Sequence, residues 1–186
     1  YYNRMKRLSI TLITVAIALF STYAAEKLTG VNGIKFGWKF DRCVEAIGDV
    51  PRKHTNSDNE NEKKFYYSPA QWAGIEWNGG VLDFFNDKLY QVGFLKSTTN
   101  DDRTTFNTAR THLTDLYGDP IKIQSMDSNL MWRSKNGNIV MLEYVKDSNK
   151  EGATQFTTCV YFIDNKEVVK KAKKVDGELR ELLKGR

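Results

Sequence analysis

The stretch from residue 101 to residue 123, DDRTTFNTARTHLTDLYGDPIKI, turns an amphipathic helix directly into a strand and constrains the fold more than any other part of the chain. Its apolar residues recur at steps of three and four, so they gather on one face of a helix. Asp101 and Asp102 can accept hydrogen bonds from first-turn amides, and Gly118 and Pro120 end the helix. A sheet is needed to cover the apolar face, which comprises Phe106, Ala109, Leu113, Leu116 and Tyr117.

A shorter segment earlier in the chain has the same organisation. Apolar residues at helical spacing lead to Gly48 and Pro51, which predicts a helix that ends there. Residues 52–64 are polar and lack a period, so we expect a loop. Four runs rich in aromatic and β-branched residues follow, separated by turn residues, and predict an antiparallel meander. The helical positions are Phe40, Cys43, Val44 and Ile47, and the runs are 65–67, 71–77, 81–85 and 89–96.

The second half of the chain repeats this order. The central helix precedes four further runs at 121–126, 130–134, 139–146 and 155–164, and the segment AIGDVP of the first half resembles LYGDP of the second. We therefore predict an α+β fold of two similar helix-plus-four-stranded antiparallel meander units, with the helices on one sheet face and a C-terminal helix. The units are 26–98 and 99–165, and 166–186 is a basic amphipathic helix.

The N-terminal 25 residues have the pattern of a secretory signal peptide. After an upstream extension of four residues, Met5 and two basic residues precede the apolar run LSITLITVAIALF. This run is shorter than the ~20 residues of a spanning helix, and small residues follow it. We expect cleavage after Ala24 or Ala25 and no membrane span in the mature form. We therefore expect a periplasmic or secreted location. We expect no lipid anchor, because no cysteine comes directly after the apolar run.

Charge argues against nucleic acid as a partner. Three of the 28 Lys and Arg residues and none of the 23 Asp and Glu residues lie in residues 1–24, so cleavage lowers the formal charge from +5 to +2. The remaining basic residues concentrate at the C-terminus, and no nucleic-acid-binding motif accompanies them.

One short motif resembles a known group of proteins. Phe36-Gly37-Trp38, then Val44, Ile47-Gly48 and Pro51, is similar to the G-M-[ST] … V … [LI]-G-x-P pattern of small bacterial envelope proteins such as the small lipoprotein of the β-barrel assembly machinery. The tandem layout resembles the β-lactamase-inhibitor protein fold. Lys39 stands where the pattern has a Ser or Thr cap. The resemblance implies a non-catalytic protein-binding module and transfers no functional residue.

Residues with catalytic or ligand-binding chemistry are sparse. His54 and His112 lack further ligands at metal-binding spacing, and no phosphate-binding or dinucleotide motif occurs, so we expect neither metal nor cofactor. Cys43 and Cys159 could form one disulfide in an oxidising compartment. Strand alternation places them on opposite sides of the sheet, which favours free thiols, although a bulge would invert that alternation.

Two alternatives to a protein-binding role stay open. Aromatic residues, among them Trp72, Trp77 and Trp132, could stack on sugar rings of a glycan or another small ligand, or complete the core. Carboxylates on or beside strands could form a hydrolytic pair, and alternation places Asp83 and Glu143 on the same face. The other carboxylates of this set are Glu76 and Asp87.

The sheet face opposite the two helices is the predicted partner surface. Alternation that buries Leu82, Phe84, Tyr90, Val92 and Phe94 under the helices sends a half-apolar set outward. Such a face marks a partner surface where it is exposed, but the C-terminal helix or sheet curvature could cover it. We predict a non-catalytic envelope module that binds another envelope protein or a glycan. The candidate surface residues are Val81, Phe85, Leu89, Leu95, Met141, Val145, Tyr161 and Ile163.

Overall fold

A computed structural model describes residues 26–59, 61–123, 128–148 and 152–184. The predicted signal peptide, residues 1–25, lies outside these ranges. The helices are α1 (Phe40–Ile47), α2 (Thr104–Tyr117) and α3 (Asn165–Lys184). The strands are β1 (Gly30–Val31), β2 (Ile34–Lys35), β3 (Arg52–Asn59), β4 (Glu62–Ser68), β5 (Ala70–Trp72), β6 (Ile75–Trp77), β7 (Gly79–Phe85), β8 (Lys88–Thr98), β9 (Ile121–Lys122), β10 (Asn129–Arg133), β11 (Ile139–Ser148) and β12 (Thr154–Ile163).

The main sheet has eight strands in the order β3-β4-β7-β8-β12-β11-β10-β9, and every neighbouring pair is antiparallel. Each half of the chain contributes one helix and four strands. The last strand of each half, β8 or β12, pairs with the other at the centre. The predicted α+β fold of two helix-plus-meander units with a C-terminal helix is confirmed.

Helices α1 and α2 end where the sequence predicts. Gly48 follows α1 with a φ of 75°, and its N–H donates to the carbonyls of Val44 and Glu45. Gly118 follows α2 with a φ of 81°, which a residue with a side chain rarely adopts. Asp102 Oδ1 accepts a hydrogen bond of 2.9 Å from the Thr104 amide at the start of α2.

One hydrophobic core lies between these two helices and the sheet. The buried face of α2 carries Phe106, Ala109, Leu113 and Tyr117, and α1 contributes Cys43. These residues join one cluster, so both helices cover the same sheet face, here named the helix face. The strand residues of the cluster include Phe65, Leu82, Phe84, Leu89, Val92, Phe94, Leu130, Trp132, Val140, Leu142, Tyr144, Val160 and Phe162.

The predicted loop at 52–64 is wrong. Residues 52–59 form the edge strand β3, which pairs with β4, and β4 begins at Glu62. The described side chains of β3 are largely solvent-exposed, so neither of its faces imposes the apolar alternation on which the prediction relied. A polar edge strand protects a sheet from unwanted pairing with other chains.

The predicted strand at 71–77 is also wrong. This segment forms the hairpin β5–β6, a separate two-stranded sheet, while β4 pairs directly with β7. Ala73 and Gly74 form its turn with φ values of 54° and 70°. The hairpin contributes Trp72 and Trp77 to the helix-face core, where both contact Phe94.

A bulge in β8 exchanges two side chains between the faces. The ladder between β7 and β8 pairs Asp83 with Gln91 but Phe84 with Leu89, so Tyr90 is an extra residue. Leu89 therefore lies in the helix-face core, whereas Tyr90 packs on the other face. The alternation predicted for these two residues is inverted, as a bulge requires.

Helix α3 packs on the sheet face opposite α1 and α2, here named the outer face. Val168 joins a second cluster with Met131, Ile139, Met141 and Ile163. Lys171 Nζ lies 3.0 Å from Glu62 Oε2 and 3.3 Å from the Tyr90 hydroxyl. These contacts place α3 over the part of the outer face that contains Ile163. None of the helices in the described part of the chain has the length and apolar character that crossing a membrane requires.

Candidate functional site

The eight predicted surface residues do not form one exposed face. Val81, Phe85, Met141 and Ile163 are buried, and Leu89 lies on the helix face. Leu95 and Tyr161 are half-buried, whereas Val145 is 39% exposed. Among the described residues, Val145 is the one large hydrophobic side chain that is exposed. Coverage of one half of the outer face by α3 accounts for much of this burial.

Contacts of the described α3 side chains do not reach the other half of the outer face, which we name the open patch. Register places Glu143 opposite Cys159, which in turn lies opposite Leu95. One row further along, Val145 lies opposite Thr157, whose hydroxyl is 2.9 Å from that of Ser97. The half-buried or exposed side chains of the open patch are Leu95, Ser97, Asn129, Glu143, Val145 and Thr157.

Glu143 is the one charged residue among the side chains named for the open patch. Burial raises the pKa of its carboxyl group above the usual value. No side chain in the described ranges forms a hydrogen bond or ion pair with this carboxylate. An ionised carboxylate that is partly removed from water and unpaired destabilises the folded state.

The described neighbours of Glu143 supply no positive charge. Burial, followed by the negative charge of Glu143, raises the pKa of the Cys159 thiol to about 12. The Tyr161 hydroxyl is hydrogen-bonded to this thiol, and burial raises its pKa well above the ordinary value. Both groups are therefore neutral at pH 7. The Tyr161 ring lies across Gly93, where an added Cβ would be 2.8 Å from the ring.

Asp83, a carboxylate in the half that α3 covers, differs from Glu143 because it has close partners. Asp83 is 2% exposed, Lys64 Nζ lies 3.0 Å from its Oδ1, and Gln91 Nε2 donates a 2.6 Å hydrogen bond to its Oδ2. Burial raises the pKa of the Asp83 carboxyl group although the Lys64 charge opposes this shift. Asp83 is thus a paired structural group, whereas no described side chain pairs with Glu143.

The two strand carboxylates do not form a hydrolytic pair. Both lie on the outer face, as alternation predicts. Asp83 pairs with Gln91 on β8, and Gln91 pairs with Ile163 on β12. Glu143 pairs with Cys159, which is four residues from Ile163 along β12. This offset is about 13 Å along the strands, and three strand spacings add about 14 Å across them. Glycosidase carboxylates lie within about 10 Å of each other. Glu76 and Asp87 are solvent-exposed at a hairpin and a turn.

The tryptophans predicted as sugar-stacking candidates are buried. Trp72, Trp77 and Trp132 are 7%, 1% and 1% exposed. Trp132 donates to the Gly118 carbonyl at 2.8 Å and Trp77 to the Trp72 carbonyl at 3.2 Å, so their polar edges are satisfied inside the protein. These rings complete the core and offer no stacking surface to a glycan.

The two cysteines lie on opposite faces of the sheet, as alternation predicts. Cys43 belongs to the helix-face core, and Cys159 lies beside Glu143 on the outer face. Both are free and buried, and burial raises the Cys43 pKa to about 11. In the described residues, no group of three or more His, Cys, Asp or Glu side chains could hold a metal ion.

Replacement of Glu143 by glutamine is expected to stabilise the protein at pH 7 and not at pH 4. When the pKa of a carboxyl group is higher in the folded state than in the unfolded state, the folded protein loses stability as the pH rises. This loss begins near the unfolded pKa, about 4.3, and continues towards the folded pKa. Urea denaturation across this pH range measures the difference. Glu76→Gln, at an exposed position, is the control and should leave the pH dependence unchanged. A Glu143→Gln variant that is less stable than the parent at pH 7 would contradict the unpaired carboxylate.

Comparison with protein-family models, with curated proteins and with solved structures found no match to this chain.

Proposed function

We propose that the protein is an exported, non-catalytic interaction module of the bacterial envelope and that its open patch contacts another envelope protein. The observation that carries this proposal is the division of the outer face. Helix α3 covers one half, where it buries Met141 and Ile163, while the other half leaves Val145 and Leu95 in contact with solvent. An apolar area beside an unpaired carboxylate is costly in a free protein and is typical of a surface that a partner covers.

Sequence and fold support this role independently. The signal-like residues 1–25 direct the chain to the envelope, and the resemblance to small envelope proteins implies protein binding. A sheet face suits a protein partner better than a small ligand, which would require a concave pocket with convergent polar groups. Burial of the three tryptophans further disfavours a glycan partner.

Substitution of Val145 by aspartate is expected to abolish capture of a stoichiometric partner from an envelope extract of the native host. A charge at this position would be desolvated in the complex but remains hydrated in the free protein, so folding is preserved. Quantitative mass spectrometry of captured proteins measures the effect.

Thr55→Asp is the matched control. Thr55 is exposed on strand β3 and lies opposite Phe65, on the helix face. This variant should capture the same partner as the parent. Equal capture by the parent and Val145→Asp would contradict the assignment of the open patch, and capture of no stoichiometric protein by the parent would contradict the interaction module.

A further inference from the structure

We infer that the open patch recognises a basic side chain, and that an arginine or lysine of the partner protein enters beside Glu143. This inference rests on the proposed function and names the chemistry of its partner. It is carried by the position of one carboxylate, by the neutral groups around it and by the pairing of two lysines on the same face with other carboxylates.

A partner can reach Glu143, and the partial burial of this residue makes an unpaired charge there costly for the folded state. Glu143 lies on β11, with Asn129 opposite on β10 and Cys159 opposite on β12. Val145, two residues along the same strand, is exposed, and Leu95 lies beyond Cys159. The carboxylate is therefore within the open patch and is bordered by apolar or neutral side chains.

Four described lysines on the outer face or next to its residues Leu95 and Val145 contact other groups. On the outer face, Lys64 is paired with Asp83 and Lys171 with Glu62, both in the half that α3 covers. Lys96 lies on β8 next to Leu95 and therefore on the opposite face, where its ammonium group donates to the Glu76 carbonyl at 2.9 Å. Lys146 follows Val145, and its ammonium group lies over the ring of Phe156, which packs against the helix-face core.

A partner that covers Val145 and Leu95 necessarily removes more water from Glu143. Without a compensating cation, this desolvation opposes association, because a buried carboxylate is tolerated only when it is paired. An arginine or lysine supplies that cation, and the guanidinium group of arginine can bind both carboxylate oxygens at once. The same desolvation rejects partners with an acidic or purely apolar contact residue, which gives the patch selectivity.

The test uses a phage-displayed library of random 12-residue peptides, selected on the purified protein and eluted by competition with soluble protein. Recovered peptides are synthesised, and their dissociation constants are measured by fluorescence polarisation. We expect them to contain arginine or lysine and to lose binding to Val145→Asp. Glu143→Gln should weaken them at least about 10-fold. Glu76→Gln, a neutralised carboxylate outside the patch, should bind as the parent does.

A double-mutant cycle separates direct pairing from an indirect effect. Replacement of the peptide's basic residue by alanine should weaken binding to the parent as strongly as Glu143→Gln does, and should add little to binding by Glu143→Gln. Because Glu143→Gln is expected to be the more stable protein at pH 7, loss of binding cannot be assigned to unfolding.

The outcomes distinguish this inference from the proposed function. Peptides that require Val145 but lack a basic residue, or bind Glu143→Gln as well as the parent, would overturn the inference and leave the interaction module standing. Peptides that are indifferent to both substitutions, or a selection that yields no binder, would overturn the inference and the proposed open patch together.

Discussion

Replacement of Phe94 by alanine is expected to lower the free energy of unfolding by about 3–5 kcal/mol. Phe94 is 1% exposed and stacks on Trp72 at a centroid distance of 6.1 Å. Its ring also contacts Trp77 at 6.0 Å and Phe162 at 6.3 Å. The side chain thus joins the β5–β6 hairpin to the two central strands β8 and β12, and its removal leaves a cavity that rigid rings cannot fill.

The control for this prediction is the next residue along β8. Leu95 is half-buried on the outer face, so Leu95→Ala should cost less than about 2 kcal/mol, since part of the side chain is already in water. Urea denaturation followed by tryptophan fluorescence measures both variants. A loss below about 1.5 kcal/mol for Phe94→Ala would contradict the packing described for the aromatic cluster.

Replacement of Lys64 by methionine is expected to cost about 3 kcal/mol at pH 7, because Asp83 is then left buried without its cation. Lys64 Nζ lies 3.0 Å from the carboxylate, and the Lys64 charge opposes the rise of the Asp83 pKa that burial causes. Without that charge the Asp83 pKa rises further. The cost should therefore shrink as the pH falls towards the ordinary Asp value, since protonation removes the unpaired charge.

An exposed ion pair provides the matched control. Lys53 Nζ lies 3.4 Å from Asp49 Oδ1, and the Asp49 side chain is 98% exposed. Lys53→Met should change the free energy of unfolding by less than about 0.5 kcal/mol, because water already screens that pair. The double variant Lys64→Met/Asp83→Leu should recover part of the lost stability. Equal costs for Lys64→Met and Lys53→Met would contradict the burial of the Asp83 pair.

The helices were predictable because their signals are local. Apolar residues at helical spacing, such as Phe106, Ala109 and Leu113 in α2, are sufficient to predict α1 and α2 when a glycine follows each helix. Strand β3 was not predictable in this way, because its described side chains are largely in water and its pairing with β4 is formed by the backbone. The sequence 52–59 therefore carries no apolar alternation, and its polar composition indicated a loop instead.

The site was predictable in part. Alternation placed Glu143, Val145 and Tyr161 on the outer face and separated Cys43 from Cys159, since strands β11 and β12 are regular. Leu89 and Tyr90 were assigned to the wrong faces, because an extra residue in β8 shifts the alternation without a distinctive sequence signal. The position of α3 depends on tertiary contacts such as that between Lys171 and Glu62, which spacing along the chain does not encode.

The measurement that tests the interaction module most directly is site-specific photo-cross-linking in intact cells of the native host. A benzophenone amino acid replaces Val145 in one version of the protein and Thr55 in another. We expect one discrete cross-linked envelope protein from position 145 and none from position 55, because the partner covers the open patch and not the exposed edge strand. Cross-links from position 55 alone, or no protein cross-link from position 145, would contradict a partner at the open patch.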